Sequence, residues 1–207
     1  MTKGLFLTFE GIDGSGKSTQ ARRLADALGA QGCDVVLTRE PGGSEGAELI
    51  RRLLVEGDPD RWSAETEILL FTAARRDHLE KTIEPALAAG KIVISDRFAD
   101  STRVYQGAAR GALRVKVDAL HDLMIAREPD LTFVIDMDPG EALQRGLARA
   151  SGEDRFEDMG EAFQHRLRAG FLKLADAAPD RCAVINGHRP VDSVAKDVLS
   201  HVRGFLT

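Results

Sequence analysis

The sequence predicts a three-layer α/β fold, a five-stranded parallel sheet flanked by helices. Three observations carry this expectation. Short apolar or β-branched runs recur along the chain, segments of helical period separate them, and a glycine-rich loop joins the first run directly to a helix. Strands that alternate with helices imply right-handed crossovers and a sheet covered on both faces.

The first candidate strand is LFLTF at 5–9, and the helix after the glycine-rich loop is marked by Ala21, Leu24, Ala25 and Leu28, with Gly29 and Gly32 as stop signals. VVLT at 35–38 forms the second strand. Ser63 caps a helix carrying Ile68, Leu69 and Phe71, and IVIS at 92–95 and LTFVIDM at 131–137 follow as strands three and four. Asp138 before Pro139, with Glu141 behind it, opens a further helix. After Arg149, ASGEDRFEDMG has two glycines and no apolar period, so it reads as a mobile segment between two helices. AVI at 183–185 is the fifth strand, and a closing helix places Val194, Val198, Leu199, Val202 and Phe205 on one face. No repeat, low-complexity tract or linker interrupts the pattern, so residues 1–207 read as a single domain.

Composition narrows the function. The 207 residues include 28 basic and 33 acidic ones, a formal charge of −5, with 43% hydrophobic and 29% charged residues, as in soluble globular proteins. The acidic balance disfavours nucleic acid and anionic membrane surfaces as partners, because both select a basic face. The amino-terminal apolar run is interrupted at Thr8 and stopped at Glu10, too short for a secretion signal, and no stretch approaches the ~18 apolar residues of a membrane span. Only Cys33 and Cys182 occur, without CxxC or a Cys/His cluster, which argues against disulfides and structural zinc and fits a reducing cytoplasm. His78, His121, His165, His188 and His201 are scattered without ligand or triad spacing, and Trp62 reads as packing.

The chemistry is concentrated in GIDGSGKS, Gly11–Ser18, which fits G-x-x-x-x-G-K-[ST] between a strand and a helix. Gly11, Ile12, Asp13, Gly14, Ser15, Gly16 and Lys17 form a loop whose backbone N–H groups turn toward phosphate oxygens, Ser18 offers a hydroxyl to Mg²⁺, and Thr19 continues into the helix. A glycine-rich turn is the plain alternative. At the end of the third strand Asp96 and Arg97 stand where open parallel sheets place ligands; Asp96 suits a Mg²⁺ water and Arg97 two phosphates, against a surface ion pair as the other reading. The guanine-reading NKxD tetrapeptide is absent, which sets a GTPase aside.

Four segments, FEGIDGSGKST at 9–19, TREPGGS at 38–44, FTAAR at 71–75 and SDRFADSTRVYQG at 95–107, resemble the motifs of the thymidylate kinase family, bacterial type, in order and spacing. The resemblance covers nearly the whole chain. It implies a P-loop kinase fold, transfer of the γ-phosphoryl group of Mg·ATP to dTMP giving dTDP and ADP, and a homodimer by analogy. It places Asp13 near the dTMP sugar and phosphate, Pro41 in a turn under the substrate, and Arg51 and Arg97 on the 5′-phosphate, where two guanidinium groups suit a dianion.

Phe71 and Arg75 share a helix face; the resemblance stacks the first on thymine and aims the second at its carbonyl edge, although without the resemblance Phe71 reads as core beside Leu69 and Leu70. Ser101, Thr102, Tyr105 and Gln106 are carried over to the base and sugar, with capping or packing as the other reading. Residues at about 149–160 are similar to the family's lid, with Arg145, Arg149 and Arg155 in or beside it; NGHRP at 186–190 resembles the loop that borders adenine, with Arg145 on the other side. Where some members carry an Arg in the phosphate loop this chain has Gly14, so the lid must deliver that cation. Two rivals stand beside this reading. One is a kinase for another nucleotide or a deoxynucleoside, and the other a non-catalytic nucleotide-sensing module.

Overall fold

Each expected strand forms where its apolar run stands: β1 (Leu5–Glu10), β2 (Val35–Arg39), β3 (Ile92–Asp96), β4 (Leu131–Asp136) and β5 (Cys182–Asn186). The structure is a computed structural model that describes residues 4–58, 61–109, 113–147 and 160–205. All neighbouring strands pair in parallel, in the order β2-β3-β1-β4-β5. The helices between them are α1 (Lys17–Gly29), α2 (Glu45–Val55), α3 (Ala64–His78), α4 (Glu84–Ala88), α5 (Ala99–Val104), α6 (Arg114–Met124), α7 (Pro139–Leu147), α8 (Glu161–Ala177) and α9 (Val191–Val202). Among the described residues no helix is long and apolar enough to cross a membrane.

The two-residue period of the strands divides the core. Leu7, Phe9, Ile94, Phe133 and Ile135 face α1 and α9, where Leu24, Leu28, Val194 and Val198 meet them. Phe6 and Val93 turn to the opposite face and pack with Leu79, Ile83 and Phe98, while Val134 joins Tyr105, Phe163 and Phe171. Helix starts follow the sequence signals: the Ser63 hydroxyl accepts from Thr66 N at 3.2 Å, and Asp138 Oδ1 accepts from Gly140 N at 2.9 Å. Phe205 departs from the expected apolar face. The α-helix ends at Val202, and Phe205 lies in a 3₁₀ turn at 47% exposure. Trp62 does pack, its Nε1 donating to Leu53 O at 2.9 Å.

This order fixes where chemistry can occur. The chain crosses from one side of β1 to the other between β3 and β4, so a crevice opens beyond the carboxyl end of β1. Phe9 pairs with Asp96 in register, which sets the loop after β1 beside the loop after β3.

Candidate active site

At the end of β1 the chain turns through Gly11, Gly14 and Gly16, all with positive φ, and enters α1 at Lys17. Gly14 is required sterically as well as conformationally. A Cβ there would lie 1.9 Å from Ala142 O of α7, so position 14 has no room for any side chain while α7 keeps this place. Lys17 is buried, donates to Ile12 O at 2.8 Å and stands 3.9 Å from Asp13 Oδ1. Burial, and next to it the Arg97 charge, push the Lys17 ammonium down to about 8. Ser15 Oγ is buried with no hydrogen-bond partner among the described residues, and Thr19 lies in the first turn of α1.

The loop after β3 brings Arg97 against this cradle. Arg97 adopts a left-handed backbone, φ 72°, which costs an L-residue about 1 kcal/mol and turns its side chain back over β1. Its guanidinium donates to Gly11 O at 3.2 Å, Ser101 Oγ at 2.9 Å, Tyr105 Oη at 3.2 Å and the Asp13 carboxylate. Tyr105 Oη in turn donates to Asp13 Oδ2 at 2.9 Å. Burial works to raise the Asp13 carboxyl, but Arg97 and Lys17 outweigh it and hold it below the usual range. Burial also pushes the Tyr105 phenol up, so it remains a donor.

A cavity of about 410 Å³ opens in front of these groups. Asp13, Pro41, Arg51, Phe71, Arg75, Arg97, Ser101, Thr102, Tyr105 and Gln106, the whole set expected around a nucleoside monophosphate, line it together with Gly14, Gly16, Lys17, Ser18 and Asp96. The Glu40–Pro41 bond is cis, and Arg51 donates to Pro41 O. Phe71 is half-buried and stands on the cavity wall. Gln106 is tied down by a 3.0 Å bond from its Nε2 to buried Glu67.

The expected adenine side is only partly assembled. Arg145 is exposed on α7, its Nη1 3.4 Å from Met137 Sδ, and does not line the cavity. His188 in the NGHRP loop accepts from Asp138 N at 2.9 Å through Nε2 and reaches Glu141 Oε2 at 3.2 Å through Nδ1, so this loop is joined to the start of α7. Arg149 and Arg155 lie outside the described residues.

Asp96 Oδ1 is buried without a hydrogen-bond partner among the described residues and shares the cavity wall with the Ser18 hydroxyl. Among the described residues no three His, Cys, Asp or Glu side chains cluster as a closed metal cage. A hydroxyl and one carboxylate suit Mg²⁺, which takes few protein oxygens and completes its shell with water and phosphate.

Two buried carboxylates went unread in the sequence. Glu10, at the end of β1, accepts from Phe98 N at 2.9 Å, Ser101 N at 3.1 Å and Ser101 Oγ at 2.6 Å, and burial, with Asp100 next, pushes it up to about 7. Glu40, after β2, pairs with Arg75 at 2.7 Å. The available signal was position: each stands at the carboxyl end of a strand that feeds the crevice.

The family model described as thymidylate kinase matches residues 9–198. The chain belongs to the thymidylate kinase family. A thymidylate kinase of Dinoroseobacter shibae is 73% identical over 199 residues, 96% of this chain and 96% of that one. Another from Ruegeria pomeroyi is 71% identical over 203 residues, 98% of this chain and 96% of the relative. The crystal structure of thymidylate kinase from Ehrlichia chaffeensis superposes with a TM-score of 0.79 at 39% identity, covering 96% of this chain and 98% of that one.

Proposed function

We infer that the chain is a nucleoside monophosphate kinase that transfers the γ-phosphoryl group of ATP to the 5′-phosphate of dTMP, giving dTDP and ADP. One observation carries the reading beyond family membership: the phosphate loop and the Arg51, Arg97, Phe71 and Arg75 side chains share a single cavity. The loop's N–H groups and the α1 amino terminus bind the donor's phosphates, and Lys17 sets a cation against them. Arg97 and Arg51 hold the acceptor phosphate, Phe71 stacks on thymine, and Arg75 donates to its carbonyl edge. The attacking oxygen already bears charge, so no general base is required, and catalysis is alignment plus neutralisation. Ser18 and Asp96 would hold Mg²⁺, which when bound neutralises charge on the donor's phosphates.

Rival acceptors fit less well. A deoxynucleoside kinase needs a carboxylate free to take a hydroxyl proton, whereas Asp13 is engaged by Arg97, Lys17 and Tyr105, Glu40 by Arg75, and Asp96 is assigned to Mg²⁺. A sensing module would not need Lys17, Asp96 and Arg97 all gathered at one cavity. Equal yields of dTDP and ADP from dTMP and ATP test the reading directly. Arg75→Ala is expected to raise KM for dTMP at least ~10-fold with little change for ATP, because of the two nucleotides only dTMP loses a contact. Equal effects on both nucleotides would remove Arg75 from the base site.

The closed wall at Gly14 bears on the lid. With no room for a side chain there, a further cation must come from elsewhere, and Arg149 and Arg155, in the segment at about 149–160 that resembles the family's lid, are the candidates. Arg155→Ala is expected to lower kcat at least ~10²-fold with modest change in KM for dTMP, since the contact forms in the reacting state. Arg149→Ala belongs beside it; a double variant that keeps full kcat contradicts the assignment. On this reading the chain acts as one domain in the cytoplasm, where the free thiols Cys33 and Cys182 stay reduced, and pairs as a homodimer by analogy with the family.

A further inference from the structure

From the cavity wall a row of buried polar side chains that phosphoryl transfer does not use, Arg75, Glu40 and His78, runs inward. Arg75 and Glu40 are 4% and 3% exposed, and His78 is 0% exposed. Arg75 donates through Nε to Glu40 Oε2 at 2.7 Å, and through Nη2 to Phe98 O at 3.1 Å and Thr102 Oγ1 at 3.0 Å. Nη1 makes no hydrogen bond among the described residues, and Arg75 lines the cavity, so Nη1 is the edge left for a ligand.

The other Glu40 oxygen is also taken. His78 Nδ1 meets Oε1 at 3.1 Å, and His78 Nε2 meets Thr38 Oγ1 at 2.8 Å. A carboxylate oxygen accepts, so Nδ1–H donates to Glu40, and Nε2 shares a hydrogen bond with the Thr38 hydroxyl. The ring is wedged in place, because a Cβ on Gly43 would lie 2.3 Å from Nε2. His78 and Arg75 are one turn apart on α3, and Thr38 and Glu40 belong to β2 and the residue after it.

A buried ion pair is a poor source of net stability but a good way to fix geometry. A carboxylate bonded only to Arg75 is free to swing; with Oε1 held by His78 its plane is set, and so is the plane of the guanidinium it grips. We propose that Glu40 and His78 are positioning residues for base selection, holding Arg75 with its Nη1 hydrogens toward the base so that the cavity accepts a pyrimidine with a carbonyl on that edge and rejects one with an amino group. This rests on the reading that Arg75 meets the base.

The test compares dTMP with 5-methyl-dCMP, which carries an amino group in place of one carbonyl. In the full-length protein, His78→Phe is expected to raise KM for dTMP ~10-fold and to reduce the kcat/KM ratio of dTMP over 5-methyl-dCMP by a similar factor, with KM for ATP within about twofold. His78→Asn, whose amide N–H replaces Nδ1–H, is expected to restore most of both. Glu40→Gln, close to isosteric, is expected to follow His78→Phe and decides by the same readouts if that variant does not fold. If Arg75→Ala shifts KM and the ratio but Glu40→Gln and His78→Phe do not, the positioning role is overturned while the base-site reading stands. If Arg75→Ala shifts neither, the base-site reading itself falls. A loss confined to kcat, equal for both acceptors and not restored by Asn, also overturns the proposal.

Discussion

Lys17→Ala is expected to lower kcat by at least ~10³-fold, about 4 kcal/mol of barrier, while leaving a folded protein whose Tm at pH 7 is not below that of the parent. Both halves follow from the same burial. The ammonium is held at 6% exposure, where a cation acts on phosphate charge with little screening and where keeping it charged in the free protein costs folding energy. The sign can be worked out. Lys17 is pushed from an ordinary 10.5 down to about 8, so between these values the folded state binds fewer protons than the unfolded state, and parent stability rises as pH climbs through that window. The variant lacks this gain. Melting curves at pH 7 and pH 10 should therefore show the Tm difference, variant minus parent, shrinking as pH rises. Near-parent turnover in Lys17→Ala would remove the phosphate-loop assignment.

Arg97→Ala is expected to cost at least ~10³-fold in kcat/KM for dTMP, and Arg97→Lys nearly as much. The guanidinium bonds in four directions at once, to Gly11 O, Ser101 Oγ, Tyr105 Oη and Asp13. An ammonium has three donors on one atom and cannot span that set while also facing a phosphate. Loss of Arg97 also leaves the Asp13 carboxylate beside the acceptor phosphate with only Lys17, at 3.9 Å, as a cation. Steady-state kinetics with dTMP varied at saturating ATP measures the effect. A lysine variant within about tenfold of the parent would mean that charge alone, rather than the fork, is what the acceptor meets.

The parts legible in the sequence were those written locally. The phosphate loop is contiguous, each strand is one apolar run, and Ser63 and Asp138 cap their helices through their own neighbours. The Phe205 error has the same origin in reverse: helical spacing extends past Val202 on paper, but the chain tightens into a 3₁₀ turn and the ring leaves the core. Contacts between distant segments that no motif carries were not legible. Glu40 and His78 are separated by 38 positions and Glu10 and Ser101 by 91, and Glu10, Glu40 and His78 each look in isolation like solvated residues. The steric closure at Gly14 is of this kind too, since it depends on where α7 settles.

The central claim is that this cavity joins an ATP phosphate site to a thymidine monophosphate site. A coupled ADP-release assay on the purified chain, with Mg·ATP and a panel of dTMP, dUMP, dCMP, dAMP, dGMP and thymidine, tests it most directly. The account predicts acceptor-dependent ADP release with the highest kcat/KM for dTMP, at least ~10²-fold above dCMP, dAMP and dGMP, and none above background with thymidine. ADP release that ignores dTMP, or that favours thymidine or another monophosphate, would contradict it.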